Sequence, residues 1–159
     1  MSRKGNIKKR IIAPDPIYNN VLVSKLINKV MVSGKKAVAQ KHVYEAFSII
    51  EKKLKKDPLE VFSSAIDNIR PRVEVKSRRV GGATYQVPSL VRGRRQEALT
   101  IRWLVIAARA RLNSDFHTFA EKLAVEIIEG HNRSGGAIAK REEIEKIAEA
   151  NTAFSHLRW

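Results

Sequence analysis

The sequence predicts a mainly α fold: a six-helix, bundle-like body from which one long β-hairpin arm protrudes. Three observations predict it. Apolar residues recur at three- and four-residue spacing in six separate segments, as they do on helices with one buried face. One stretch, RPRVEVKSRRVGGATYQVPSLVRGRR at 70–95, abandons that period. Its two β-branched and aromatic runs are joined through Gly81-Gly82 and bounded by Pro71 and Pro88, which is a hairpin signal. The same stretch sets eight Arg/Lys against a single acid, Glu74. An isolated two-stranded hairpin is marginal in water and must lie against something. Its charge says that the something is polyanionic.

Composition points the same way. The chain has 159 residues, 31 Lys/Arg and 16 Asp/Glu, for a net charge of +15. Charge of that size concentrates phosphate-rich partners and says little about fold. Nucleic acid is the first expectation and an acidic membrane surface the second. Residues 1–114 hold 25 of the basic and 8 of the acidic side chains, so the phosphate-facing surface belongs mainly to the first part. No cysteine is present, which excludes disulfides, thiolate metal sites and cysteine nucleophiles. No apolar run approaches the roughly 18 residues of a spanning helix, and the N-terminus lacks the apolar core of a secretory signal. A soluble intracellular protein without a membrane partner is expected.

Residues 1–13 read as a basic N-terminal extension, and 14–159 as a single helical domain with the arm at 72–90. Arg3, Lys4, Lys8, Lys9 and Arg10 stand in the extension without an acid, a composition that orders along a phosphate backbone. Asp15-Pro16 is a candidate helix start, with Asn19 or Asn20 as later caps. Val23, Leu26, Ile27, Val30 and Met31 then form a stripe that Gly34 closes. A second helix carries Ala39, Val43, Ala46, Phe47, Ile50 and Leu54. Lys52, Lys53, Lys55 and Lys56 crowd its end, where they suit the helix dipole as well as they suit a ligand. Asp57-Pro58-Leu59-Glu60 opens a third helix, with Leu59, Phe62, Ile66 and Ile69 on one face and Pro71 ending it.

The register of the arm follows from its apolar pattern. A two-residue turn at Gly81-Gly82 places Val75 opposite Pro88 and sends the apolar residues of the two strands to opposite faces. A three-residue loop of Val80, Gly81 and Gly82 pairs Val75 with Val87 and Ser77 with Tyr85, and this is the expected register. Beyond the arm, 96–111 is apolar nearly all round and predicts a central helix. Leu99, Trp103, Ile106 and Ala110 lie on one face, and Ile101, Val105 and Ala108 on another. Arg95, Arg102 and Arg109, seven residues apart, form an exposed line of guanidinium groups with few acids nearby. Ser114 or Asp115 is expected to cap a fifth helix, with Phe116, Ala120, Leu123 and Ile127 inward and Gly130 at its end. A sixth helix starts near Gly135-Gly136, with a thin stripe of Ile144, Ile147 and Ala148 and an exposed Glu142–Lys146 pair.

Catalytic constellations are missing from this pattern. His42, His117, His131 and His156 lie on different elements without metal-ligand spacing, and the paired glycines lack the contexts of nucleotide-binding loops. Neither an enzyme nor a cofactor is expected. The candidate nucleic-acid contacts are the five cations of the extension together with Lys35, Lys36, Arg70, Arg72, Lys76, Arg78, Arg79, Arg92, Arg94, Arg95, Arg102, Arg109, Arg111 and Arg158. Tyr85 joins them, as does Trp159, which either stacks on a base or covers the core. A DNA architectural protein also uses basic β-arms, although usually two in a dimer. A lipid-surface protein would concentrate its cations on an amphipathic helix, whereas here the densest cations lie on the arm.

Several segments resemble the seventh protein of the small ribosomal subunit in its bacterial type: VEVKSRRVGGATYQVP at 73–88, ALTIRW at 98–103 and AEANTAFSHLRW at 148–159, with DPIYNN and GKK near the start. The resemblance runs through almost the whole chain. It implies a six-helix body with one long hairpin, and a primary binder of 16S ribosomal RNA that nucleates assembly of the subunit's head. It further implies a place near the transfer-RNA exit site and the messenger exit path, towards which the uncharged tip, Val80, Gly81, Gly82 and Ala83, would project. The ninth and eleventh small-subunit proteins become expected neighbours, with no homo-oligomer. The cytoplasm, or a plastid, is the expected compartment.

Overall fold

A computed structural model describes residues 11–157. Six α-helices, α1 Val21–Val30, α2 Lys36–Leu54, α3 Pro58–Ile69, α4 Gly93–Ala110, α5 Phe119–His131 and α6 Gly136–Ala150, surround one apolar core. A β-hairpin of β1 Val73–Val80 and β2 Ala83–Leu90 interrupts them after α3. A short 3-10 helix, Thr152–Leu157, follows α6 and packs on β2. Among the described residues no helix is long and apolar enough to cross a membrane.

The core is made of the stripes that helical periodicity predicts. Leu26 and Ile27 of α1, Phe47 and Ile50 of α2, Phe62, Ile66 and Ile69 of α3, Leu104 of α4, and Leu123 and Ile127 of α5 are fully buried. Removing each such side chain from water contributes about 1.5–3 kcal/mol. Phe47 and Phe62 meet at 5.5 Å, and the Tyr18 ring packs edge-on to Phe47 at 5.0 Å. Helix α5 touches α2, α3, α4 and α6 and shares the centre with α4. Its approach to α3 depends on Gly130, because a Cβ there would lie 3.1 Å from Ile69 Cδ1. Gly130 therefore does not end α5. It sits buried inside the helix, which runs on to His131.

Several helix boundaries differ from the sequence expectation for local reasons. Asp15 does not begin a helix. Its carboxylate accepts from the Ile17 and Tyr18 amides and from the Tyr44 hydroxyl at 2.8 Å, which makes it a buried turn anchor. Burial, reinforced by that bond, pushes the Tyr44 hydroxyl up to about 12. Asn20 is the true cap of α1, accepting from Leu22 N at 2.7 Å. Helix α5 starts at a complete capping box between Thr118 and Glu121 rather than at Ser114 or Asp115. Phe116 therefore falls in the preceding loop, where the Arg111 guanidinium lies over its ring at 5.7 Å. Helix α4 begins three residues early, at Gly93, and buries one broad face only: Ile106 is 56% exposed and Ala110 is exposed. On α6 the ion pairs are Lys140–Glu143, Arg141–Glu142 and Arg141–Glu145 rather than Glu142–Lys146.

The arm takes the two-residue turn. Val80 pairs with Ala83, Arg78 with Tyr85, Lys76 with Val87 and Val75 with Pro88, so the three-residue loop and its Val75–Val87 pairing are not formed. Gly81 and Gly82 hold φ of +56° and +91°, the pair of positive angles whose twist matches that of the flanking strands. The apolar pattern misleads here because the arm does not bury one continuous face. Val87 is 2% exposed on the face it shares with Glu74, while Val75 and Pro88 are half-buried on the other.

Candidate nucleic-acid interface

The arm is fixed at its base by polar contacts that bracket the α3–β1 and β2–α4 junctions. Gln96 Nε2 donates to Pro71 O at 2.7 Å, and Val91 N donates to Arg72 O at 3.0 Å. Glu74, the one acid of the arm, accepts from Lys76 Nζ at 2.8 Å and from Arg95 Nε at 2.9 Å. Burial pushes its carboxyl up, yet the bonds from Lys76 and Arg95 outweigh that and hold it below the ordinary glutamate range. Glu74 thus ties the arm to the first turn of α4.

That first turn is rich in positive potential. Arg92 stands at the N-cap position without a side-chain cap bond, and Arg92, Arg94 and Arg95 are all exposed around the free amides that open α4. The helix dipole adds to their field, and such an end suits a phosphate. Arg102 and Arg109 continue the line, both exposed, with Arg109 Nη2 also donating to Val30 O at 3.0 Å. Arg72, Lys76 and Arg79 are exposed along the arm, and Arg78 stands opposite Tyr85. Lys35, at the N-cap of α2, and Lys36, its first residue, are both exposed. Cations of the arm and of the first turn of α4 thereby meet around Glu74. Guanidinium forks suit the paired oxygens of a phosphate.

Other expected site residues are placed differently. Arg111 turns inward: its guanidinium binds Glu126 at 2.5 Å and also Glu129, and Glu126 is 1% exposed. Burial lowers the guanidinium's affinity for its proton, but the bonds it donates to Glu129 and Glu126 reverse this and raise it. Arg70 is half-buried and paired with Asp67 at 3.2 Å. Tyr85 packs on Phe154 of the 3-10 helix. Arg3, Lys4, Lys8, Lys9, Arg10, Arg158 and Trp159 lie outside the described residues.

Four basic residues absent from the sequence expectation, Lys25, Lys29, Arg133 and Arg141, also border these surfaces. Lys25 and Lys29 share one face of α1 and join Arg94 and Arg102 around a groove between α1 and α4. Their i,i+4 spacing on the polar side of a short helix was the available signal. Arg133 borders a second cleft, of about 730 Å³, beside Arg70, Arg72 and Arg141. Acids share that cleft: Asp67, Glu145 and Glu149 line it too, so its charge is mixed.

Residues 2–152 match the family model described as ribosomal protein S7p/S5e. The chain is 57% identical to the small ribosomal subunit protein uS7 of Acetivibrio thermocellus over 159 residues, covering all of both chains. It is likewise 57% identical to the uS7 of Caldicellulosiruptor bescii and 52% identical to that of Bradyrhizobium sp., again with full coverage of each. A match spanning helices, arm and basic surface together settles the kinship: the chain belongs to the ribosomal protein S7p/S5e family.

Proposed function

We propose that this protein, a structural and non-enzymatic constituent of the small ribosomal subunit by its family, is a primary binder of 16S ribosomal RNA that nucleates assembly of the subunit's head. The observation that carries the reading is the basic ridge running from the arm onto α4. The arm's single acid, Glu74, is held by Lys76 and Arg95, and Glu97 of α4 is held by Lys25, so Arg72, Arg79, Arg92, Arg94 and Arg102 remain exposed. A rigid body with an anchored arm can hold two RNA elements at a fixed angle without losing much of its own entropy on binding.

Within that reading, residues 1–13 form a basic extension that adds phosphate contacts, and the helical body with its arm works as one cytoplasmic, monomeric unit. The uncharged tip, Val80 to Ala83, reaches towards the transfer-RNA exit site and the messenger path. The ninth and eleventh small-subunit proteins are its neighbours there.

The test is competition binding at fixed salt among a junction-containing 16S fragment, duplex DNA and acidic vesicles. The fragment should win. Single Gln substitutions of Arg72, Lys76, Arg78, Arg79, Arg94, Arg95 and Arg102 should then flatten the salt dependence by roughly 0.7–0.9 per lost phosphate contact. Unchanged slopes for all seven would move the RNA surface elsewhere.

A further inference from the structure

The α1–α4 groove combines two chemistries that a purely phosphate-binding ridge does not need together. Its floor is apolar and open: Ile12, Val21, Ala98 and Ile101 line it, and Ile12 and Val21 are about 40% exposed. Its rim is cationic. Lys29, Arg94 and Arg102 stand around that floor with no ion-pair partner among the described residues, while Lys25 neutralises Glu97, the one acid of the groove. The volume is about 580 Å³, room for a nucleotide and more. Apolar surface left open between cations is costly in water and fits a ligand that is itself apolar on its faces and anionic at its edge.

We propose that this groove receives an unstacked nucleobase from a single-stranded segment of ribosomal RNA, the base lying on the Ile12–Val21–Ala98 floor and its flanking phosphates on Lys29, Arg94 and Arg102. The inference rests on the RNA-binding reading and adds a base-accepting subsite to it. Two features favour this occupant over a protein segment. Three rim cations without an acid partner among the described residues suit the phosphates that flank a base, and Arg94 makes the groove continuous with the arginines at the start of α4. A base face buried on the aliphatic floor gains by leaving water, whichever base it is. Double-stranded RNA cannot use the site, because its bases are already stacked. The subsite therefore selects for an unpaired nucleotide beside a helix.

The test uses the full chain and two short oligonucleotides of equal length, one ordinary single-stranded RNA and one carrying abasic sites at every position, so that only the bases differ. Wild-type protein should bind the base-bearing strand about tenfold more tightly. The Ile12→Ser/Val21→Ser variant changes two exposed residues without changing charge, and should lose that preference while keeping the salt slope. Ala98→Phe, which fills the floor, should do the same, and an unshifted thermal midpoint would show that each variant is folded. Arg102→Gln should instead weaken both strands equally and lower the slope. Equal wild-type binding of the two strands would overturn the proposal while leaving phosphate binding intact. Failure to bind the 16S fragment at all would instead overturn the RNA-binding reading beneath it. Methyl signals of Ile12, Val21 and Ala98 that contact residues 1–10 or a second copy of the chain, rather than RNA protons, would also overturn it.

Discussion

The Tyr85 ring of β2 lies 5.0 Å from the Phe154 ring of the terminal 3-10 helix, the two planes tilted by 50°. The middle of the arm is therefore held by the last turn of the described chain as well as by the contacts at its base. Such a ring pair contributes about 0.5–1.5 kcal/mol beyond the area it buries. Phe154→Ala should speed amide exchange in the outer half of the hairpin by roughly threefold to tenfold and leave α3 and α5 unchanged. Exchange that stays at the wild-type rate would mean that Glu74 and Gln96 position the arm alone.

Glu74 gives the arm a pH dependence. Its carboxyl titrates below the ordinary glutamate value in the folded state. The stabilisation is therefore complete above the unfolded value and is lost as pH falls through the lower folded one. Thermal midpoints of the wild type should drop across that acid window, and Glu74→Gln should show a shallower drop with a lower midpoint at neutral pH. Parallel curves would mean that the Lys76 and Arg95 bonds do not stabilise the fold.

Arg111 separates architecture from RNA contact. Glu126 and Glu129 share its guanidinium, and the other oxygen of Glu126 accepts from Ala137 N at 2.8 Å, capping α6 from a distance. Arg111→Leu leaves two carboxylates facing each other beside the core and should cost about 3–5 kcal/mol in urea unfolding. Adding Glu126→Gln, which preserves the cap on α6, should recover part of the loss. The salt slope of RNA binding should stay at its wild-type value, and a slope lowered by one phosphate contact would return Arg111 to the interface.

These placements mark what the sequence could disclose. All six α-helices and the arm were legible, because burying one face imposes a period that survives in the residues: Val23, Phe47, Ile66 and Leu123 are each on the predicted stripe and each fully buried, whereas the 3-10 helix Thr152–Leu157 buries no residue and left no such pattern. Ends were less legible, since Asp15 and Asn20, or Asp115 and Thr118, are equally good caps until Tyr44 or Glu121 chooses between them. Register failed because it was inferred from apolar alternation in a hairpin that buries no one continuous face. The inward turn of Arg111 and the Tyr85–Phe154 contact join residues distant in the chain, which spacing does not encode. Charge clustering located the basic ridge but could not distinguish an exposed Arg102 from a half-buried Arg111 held by Glu126 and Glu129.

Shortening the arm tests its reach apart from its grip. Removing Arg79, Val80, Ala83 and Thr84 lets Gly81-Gly82 join Arg78 to Tyr85, a pair of the same hydrogen-bonding type as Val80–Ala83. The Tyr85–Phe154 contact and the Glu74 bonds remain. Binding of the 16S fragment should then fall by no more than the single Arg79 contact, and sedimentation should still find the protein in small subunits. Frame maintenance in cells carrying only this form should deteriorate. Loss of incorporation would make the tip an assembly determinant, and unaltered translation would remove the role proposed for it at the exit site.

The even register also quantises the arm. Its turn contributes no residue to either ladder, so one extra residue on a single strand would exchange the faces of every side chain beyond it. One added pair keeps the strands matched but presents the turn with the wrong hydrogen-bonding phase. Two pairs restore both, which sets the natural increment of length at roughly 7 Å. Reach towards whatever lies beyond the tip is thus adjustable only in whole steps of that size, like the teeth of a rack, and intermediate spans must be met by bending.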